Sequence, residues 1–183
     1  MRGAARFVLL WASIAMWAGV ARADDQPLPL LRSMSLLGDT PNYVDLAAGG
    51  YALYFSHHEF NQDAGADVTL RLGQKWNYIG PAVGIVTNTD GGVFVYAGGY
   101  SDIKWGPIIF TPLIGAGVDH RGDSHDEWLG GAFEFRLQLA ARYEFADHSR
   151  IGVQIGHISS AHINKVNPGE NEAMVSYGIP FRW

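Results

Sequence analysis

The chain has 183 residues and a formal net charge of −5, with thirteen Lys and Arg set against eighteen Asp and Glu and no basic cluster. That balance excludes a nucleic-acid surface built on phosphate contacts. The absence of cysteine excludes disulfides, thiolate metal sites and a lipoprotein anchor. Glycine at 23 residues and aromatics at 13% fit many strands joined by tight turns better than a helical protein.

The first 23 residues read as an export signal. Arg2 and Arg6 form a positive start, Phe7 to Val20 an apolar run, and Ala21-Arg22-Ala23 a small-x-small cleavage site. The run is too short and too rich in Ala and Gly for a spanning helix, which needs about 20 apolar residues. Removing it takes away Arg2, Arg6 and Arg22, leaving a charge of −8 on 160 residues, one domain by length. Residues 24–42 contain three prolines and no alternation, and read as a periplasmic lead-in or a plug.

From residue 43 to 183 the chain divides into strands. No later stretch is long and apolar enough for a spanning helix, so entry into a membrane requires a closed barrel. Strands are expected near 43–56, 66–76, 79–87, 93–100, 106–118, 128–145, 150–160 and 171–183. Eight is the smallest usual number for an outer-membrane barrel. The expected fold class is therefore all-β, an eight-stranded antiparallel transmembrane β-barrel of the outer membrane. Connectors near 57–65, 119–127 and 161–170 are long and polar, whereas 77–79 and 146–149 are short. Residues 88–92 make a tight turn on the long side. Such alternation places long loops outside and short turns in the periplasm.

The clearest strand is "FEFRLQLAARYEF", residues 133–145. Phe133, Phe135, Leu137, Leu139, Ala141, Tyr143 and Phe145 share one parity; Glu134, Arg136, Gln138, Arg142 and Glu144 share the other. Strict period two with charges of both signs on one side describes a wall with a lipid face and a packed polar interior. The five polar residues are expected to form an interior salt-bridge network. The last strand repeats the pattern with Tyr177, Ile179, Phe181 and Trp183, ending on an aromatic. His57-His58-Glu59 and the loop 119–127 gather carboxylates and imidazoles, but at no spacing diagnostic of a metal, and read as solvated loops. Arg121-Gly122-Asp123 carries no adhesion meaning on three letters.

The seventh expected strand, "RIGVQIGHISSA", ends at the outer leaflet if the amino terminus is periplasmic. Ile151, Val153 and Ile155 mark its lipid side, and by parity His157 and Ser159 share that side. An imidazole and a hydroxyl facing lipid lose water unless they pair or reach the headgroup boundary. Together they are the minimum of a general base and a nucleophile.

The order of "HISSA", "NPG" and "IPF", within an eight-strand plan behind an export signal, resembles the outer-membrane lipid A 3-O-deacylases of the PagL type. That resemblance implies His157 as general base, Ser159 as nucleophile, and an acid shortly after the Asn-x-Gly turn that orients the histidine. It implies hydrolysis of the 3-O-linked acyl chain of lipid A, without cofactor or metal.

Three positions depart from the pattern. The expected acid is Asn171, flanked by Glu170 and Glu172; Ser160 stands where the family shows Asn; and His162 stands near an expected glycine. Parity favours Asn171 as the orienter, while a register shift at Pro168-Gly169 would instead bring Glu170 or Glu172 to His157. Asn167, opening the turn opposite Ser159, is a candidate oxyanion donor or simply a turn former. The expected activity is a carboxylic ester hydrolase remodelling lipopolysaccharide, with lipid A as partner and the face of the last two strands as acyl groove. A homodimer is left open. The alternative is a non-catalytic structural or interaction barrel with a degenerate site.

Overall fold

The computed structural model describes residues 24–29, 33–53 and 63–182. The expected export signal, His57-His58-Glu59 and Trp183 lie outside the described residues. The strands are β1 (Gln26–Pro27), β2 (Met34–Leu36), β3 (Asn42–Tyr51), β4 (Asp63–Arg71), β5 (Gly80–Asn88), β6 (Val93–Tyr100), β7 (Ile103–Trp105), β8 (Ile108–His120), β9 (Phe133–Glu144), β10 (Arg150–Ser159) and β11 (Glu170–Phe181). Eight of them, β3-β4-β5-β6-β8-β9-β10-β11, pair antiparallel in order, and β11 pairs with β3 to close the barrel. Closure leaves no wall strand with an unpaired edge, the condition for crossing lipid.

The packing is inside out relative to a water-soluble sheet. Ile114, Val153, Ile155 and Val175 point outward and are 57–65% exposed, whereas their neighbours Gln154 and Ser176 are 1% exposed. Period two makes this possible: hydrocarbon solvates one face and side chains fill the other.

Polar groups pack the interior around two centres. Near the short-turn end, Arg71 Nε donates to Asp45 at 2.6 Å and Nη1 to Asp102 at 3.2 Å, with the Tyr43 and Tyr100 rings 4.7 Å from the guanidinium. Asp102 also takes Lys75, Arg150 and Thr111. Farther along, Arg136 pairs with Asp67 at 2.9 Å and with Glu172, and Gln154 donates to Asp67 at 2.8 Å. Arg142 donates to Ser176 and Gln154, and Glu144 holds Arg150 and Lys104. Gln138 Nε2 donates to Gln154 Oε1 at 3.4 Å, so Arg136, Gln138, Arg142 and Glu144 join the expected network through partners on other strands. Glu134 does not: it is buried, and neither carboxyl oxygen has a hydrogen-bond partner.

Several expected boundaries move for local reasons. β3 ends at Tyr51 rather than 56 because Ala52 turns to φ +53. β4 ends at Arg71 rather than 76 because the next residues bind the lead-in: Gly73 N donates to Asn42 Oδ1 and Lys75 N to Asp39 Oδ1. β9 starts at Phe133 rather than 128, after Gly130 at φ +97. Residues 24–42, read as lacking alternation, contribute β1 and β2, which extend the sheet through β7. Two or three residues per strand are too few to display a period.

Candidate active site

β10 and β11 run antiparallel with Ile155 opposite Ala173 and His157 opposite Asn171. The alternation that sends Val153 and Ile155 outward carries on to His157 and Ser159, and on the partner strand Val175 and Ala173 lead to Asn171. All three polar residues therefore share the outer face near the long-loop end. His157 Nδ1 lies 2.9 Å from Asn171 Oδ1. Asn171 is held from behind: its Nδ2 donates to the Leu53 carbonyl at 3.0 Å, and Leu53 N donates back to the Asn171 carbonyl at 3.0 Å.

The turn between the strands covers the imidazole. Gly169 adopts φ +69, and a Cβ there would stand 2.7 Å from His157 Cε1 and 3.1 Å from Nε2. Glycine is required twice, for the left-handed backbone and for the closeness of the ring. Ser159 is the last residue of β10, opposite Phe135 of β9. Side chains two apart on one strand face are about 7 Å apart at their bases, so Ser159 and His157 are neighbours. The ring's hydrogen bond goes to Asn171, and none joins it to Ser159.

The register of β10 against β11 sets Asn171 opposite His157, and Glu170 and Glu172 flank it with the other parity. Both face the interior, 3% and 2% exposed, and Glu172 is engaged by Arg136. Asn167 is tied to Ser160: its Oδ1 accepts from Ser160 N and Oγ, each at 2.8 Å, and its Nδ2 lies 3.4 Å from His162 Nδ1. The two departures at Ser160 and His162 thus both touch Asn167.

Beside His157 and Asn171 lies a depression of about 520 Å³ in the outer wall. Pro112, Ile114, Leu137, Leu139, Ile155 and Ala173 line it, with His157 and Asn171 at its polar end. It spans β8 to β11, a wider stretch of wall than the expected groove on the last two strands. The cause is the row of cross-strand partners Ala173, Ile155, Leu139 and Pro112, which puts small and ring-closed side chains at its margins.

In the loop 119–127, Asp126 accepts from Asn88 Nδ2 and Gly122 N, and Arg121 binds the carbonyls of Ser124 and Asp126. These groups tie the loop together. Among the described residues no group of three or more His, Asp or Glu is arranged to hold a metal ion. Leu53 is the site contributor that sequence reasoning missed, because it acts through backbone atoms and leaves no side-chain signal.

Among solved structures, the chain is similar to the outer membrane enzyme PagL, with a TM-score of 0.62 and 17% identity over 76% of this chain and 99% of that one. It also aligns with a de novo designed transmembrane β-barrel (TM-score 0.46, 14% identity, 76% and 95% of the two chains). A third alignment is with the Yersinia pestis outer membrane protein Ail (TM-score 0.46, 11% identity, 78% and 100%). No curated protein sequence matches. The PagL likeness confirms the eight-stranded barrel fold. Residues 42–180, which contain the whole barrel wall but for one residue and the His157, Ser159 and Asn171 face, match the family model for lipid A 3-O-deacylase (PagL), and the chain belongs to that family.

Proposed function

We propose that this outer-membrane barrel is a serine esterase that removes the 3-O-linked acyl chain of lipid A, with Ser159 as nucleophile, His157 as general base and Asn171 as the residue that orients the base. The observation that carries the reading is the His157 Nδ1 to Asn171 Oδ1 contact of 2.9 Å on the lipid-facing side, two residues along β10 from Ser159. With Nδ1–H donated to Asn171, Nε2 keeps its lone pair for the serine proton.

Ser159 Oγ adds to the ester carbonyl as its proton passes to Nε2. The tetrahedral intermediate collapses, the C–O bond to the sugar breaks, and the same proton goes to the leaving 3-hydroxyl. Water then repeats the sequence on the acyl-enzyme and releases the fatty acid, so the reaction balances with water alone. The Asn167 Nδ2 group is the candidate oxyanion donor, its amide turned by the two bonds from Ser160. The depression from His157 to Pro112 would take the acyl chain, with substrate arriving by diffusion within the leaflet. Residues 1–23 would export the chain before assembly.

A serine-reactive organophosphonate tests the nucleophile directly on the full barrel in detergent. Labelling of wild type that disappears in Ser159→Ala and falls in His157→Gln supports the reading. Absence of labelling in folded wild type points instead to a structural barrel.

A further inference from the structure

The family resemblance leads one to expect an acid where this chain has Asn171. The structure holds the amide in a setting that an ionised carboxylate does not fit. Asn171 makes two side-chain contacts of opposite sense: Oδ1 faces His157 Nδ1 at 2.9 Å, and Nδ2 donates to the Leu53 carbonyl at 3.0 Å. A carbonyl oxygen only accepts, so whatever faces it must donate; an amide has two N–H groups and an ionised carboxylate has none. Turning the amide over would set Oδ1 against the Leu53 oxygen and offer N–H to the imidazole. His157 would then have to accept at Nδ1 and carry its proton on Nε2, where the serine proton is to be received.

The Leu53 carbonyl is itself held. Leu53 N donates to the Asn171 carbonyl at 3.0 Å, closing a two-point clamp between the end of β3 and the start of β11. Ala52, at φ +53 and 5% exposed, turns the chain out of the β3 pairing and aims that carbonyl. A non-glycine residue in the left-handed region persists where its surroundings over-determine it, and such positions collect at functional sites.

We infer that Leu53 is a positioning residue of this site, acting through its backbone carbonyl: it sets the orientation of the Asn171 amide and thereby places the His157 proton on Nδ1. Asn171 and the left-handed turn at Ala52 are a matched pair, the amide serving in place of the acid because a donor is needed on its far side. The inference rests on the reading of His157 as general base.

The test uses the full chain refolded in detergent with ¹⁵N-labelled histidine, His157 being assigned by its loss in His157→Gln. Above the imidazole titration, the nitrogen shifts and ring-proton couplings report which nitrogen carries the proton. Ester hydrolysis is measured on the same samples, and heat-modifiable gel mobility reports folding. Wild type should hold the proton on Nδ1. Asn171→Asp, equal in shape but without the donor, should lose about tenfold or more in kcat/KM, because its carboxylate confronts the Leu53 oxygen. Ala52→Val, β-branched and disfavoured in the left-handed region, should mix the two tautomers and lower kcat/KM. A wild-type proton on Nε2, an Asn171→Asp variant as active as wild type, or a folded Ala52→Val with unchanged tautomer and rate overturns the inference. If wild type fails to cleave the ester, the proposed function falls, while the nitrogen spectrum still decides the role of Leu53. Should Ala52→Val not fold, the wild-type spectrum and Asn171→Asp decide it.

Discussion

Gly169→Ala isolates the placement of the imidazole from the stability of the barrel. The new Cβ would lie 2.7 Å from His157 Cε1 and 3.1 Å from Nε2, with the backbone at φ +69. Alanine in the left-handed region costs about 1–2 kcal/mol. Carbon atoms pack at about 3.5–4.0 Å, so the ring must retreat by roughly 1 Å, and a misplacement of that size can cost about 10²-fold in rate. Gly106→Ala is the matched control: φ is +57 there and no atom lies within 4 Å of the added Cβ. Both variants should lose similar stability in urea unfolding of the refolded barrel. Only Gly169→Ala should lose ester hydrolysis, by about 10²-fold per folded molecule. Equal activities in the two variants would refute the claim that the turn seats the base.

Arg71→Met leaves Asp45 without its closest cation and removes one of three cations from Asp102, and should destabilise the barrel by roughly 3–5 kcal/mol in urea titration. The surviving folded fraction should hydrolyse ester at the wild-type rate, since Arg71 packs with Tyr43 near the short-turn end. Asn167→Ala should lower turnover by about 10²- to 10³-fold if its amide meets the oxyanion. Ser160→Ala, which removes one of the two bonds to the Asn167 oxygen and leaves the backbone N–H bond in place, should act in the same direction by less, and unchanged steady-state rates in both would remove Asn167 from the mechanism. Ala173→Trp should fill part of the outer-wall depression, raising KM for long-chain esters while turnover of a short soluble ester persists. An unaltered chain-length profile would place the acyl chain elsewhere.

Lipid as solvent made much of this fold readable. In residues 133–145 every second residue had to satisfy hydrocarbon, so parity alone placed Leu137 and Leu139 outside and Arg136 and Arg142 inside. The same parity carried from Ile155 to His157 and from Tyr177 back to Asn171, which is why two residues fourteen apart could be set on one face before their contact was seen. What escaped were contacts with no periodic trace. Asp45, Asp67 and Asp102 anchor the interior, yet nothing in their own stretches marks them as members of a network, and the cations they meet lie 26, 69 and 27 positions away. Glu134 shows the pattern of a network member but meets no partner, because parity fixes a face and not a neighbour. β1 and β2 are too short to alternate, and the Leu53 carbonyl is 118 positions from Asn171 and identical in chemistry to every other carbonyl. Ser160, a departure from the family pattern, grips Asn167 across a turn in which Ala161 and His162 are left-handed, a conformation that the sequence does not announce.

The most direct test of the central claim is mass spectrometry of lipid A from Gram-negative cells expressing wild type or Ser159→Ala at equal outer-membrane levels, in a host whose lipid A carries the 3-O-linked chain. Wild type should remove one hydroxyacyl chain, and Ser159→Ala should leave lipid A intact. Unchanged lipid A beside folded wild type, or deacylation that persists in Ser159→Ala, would contradict the account.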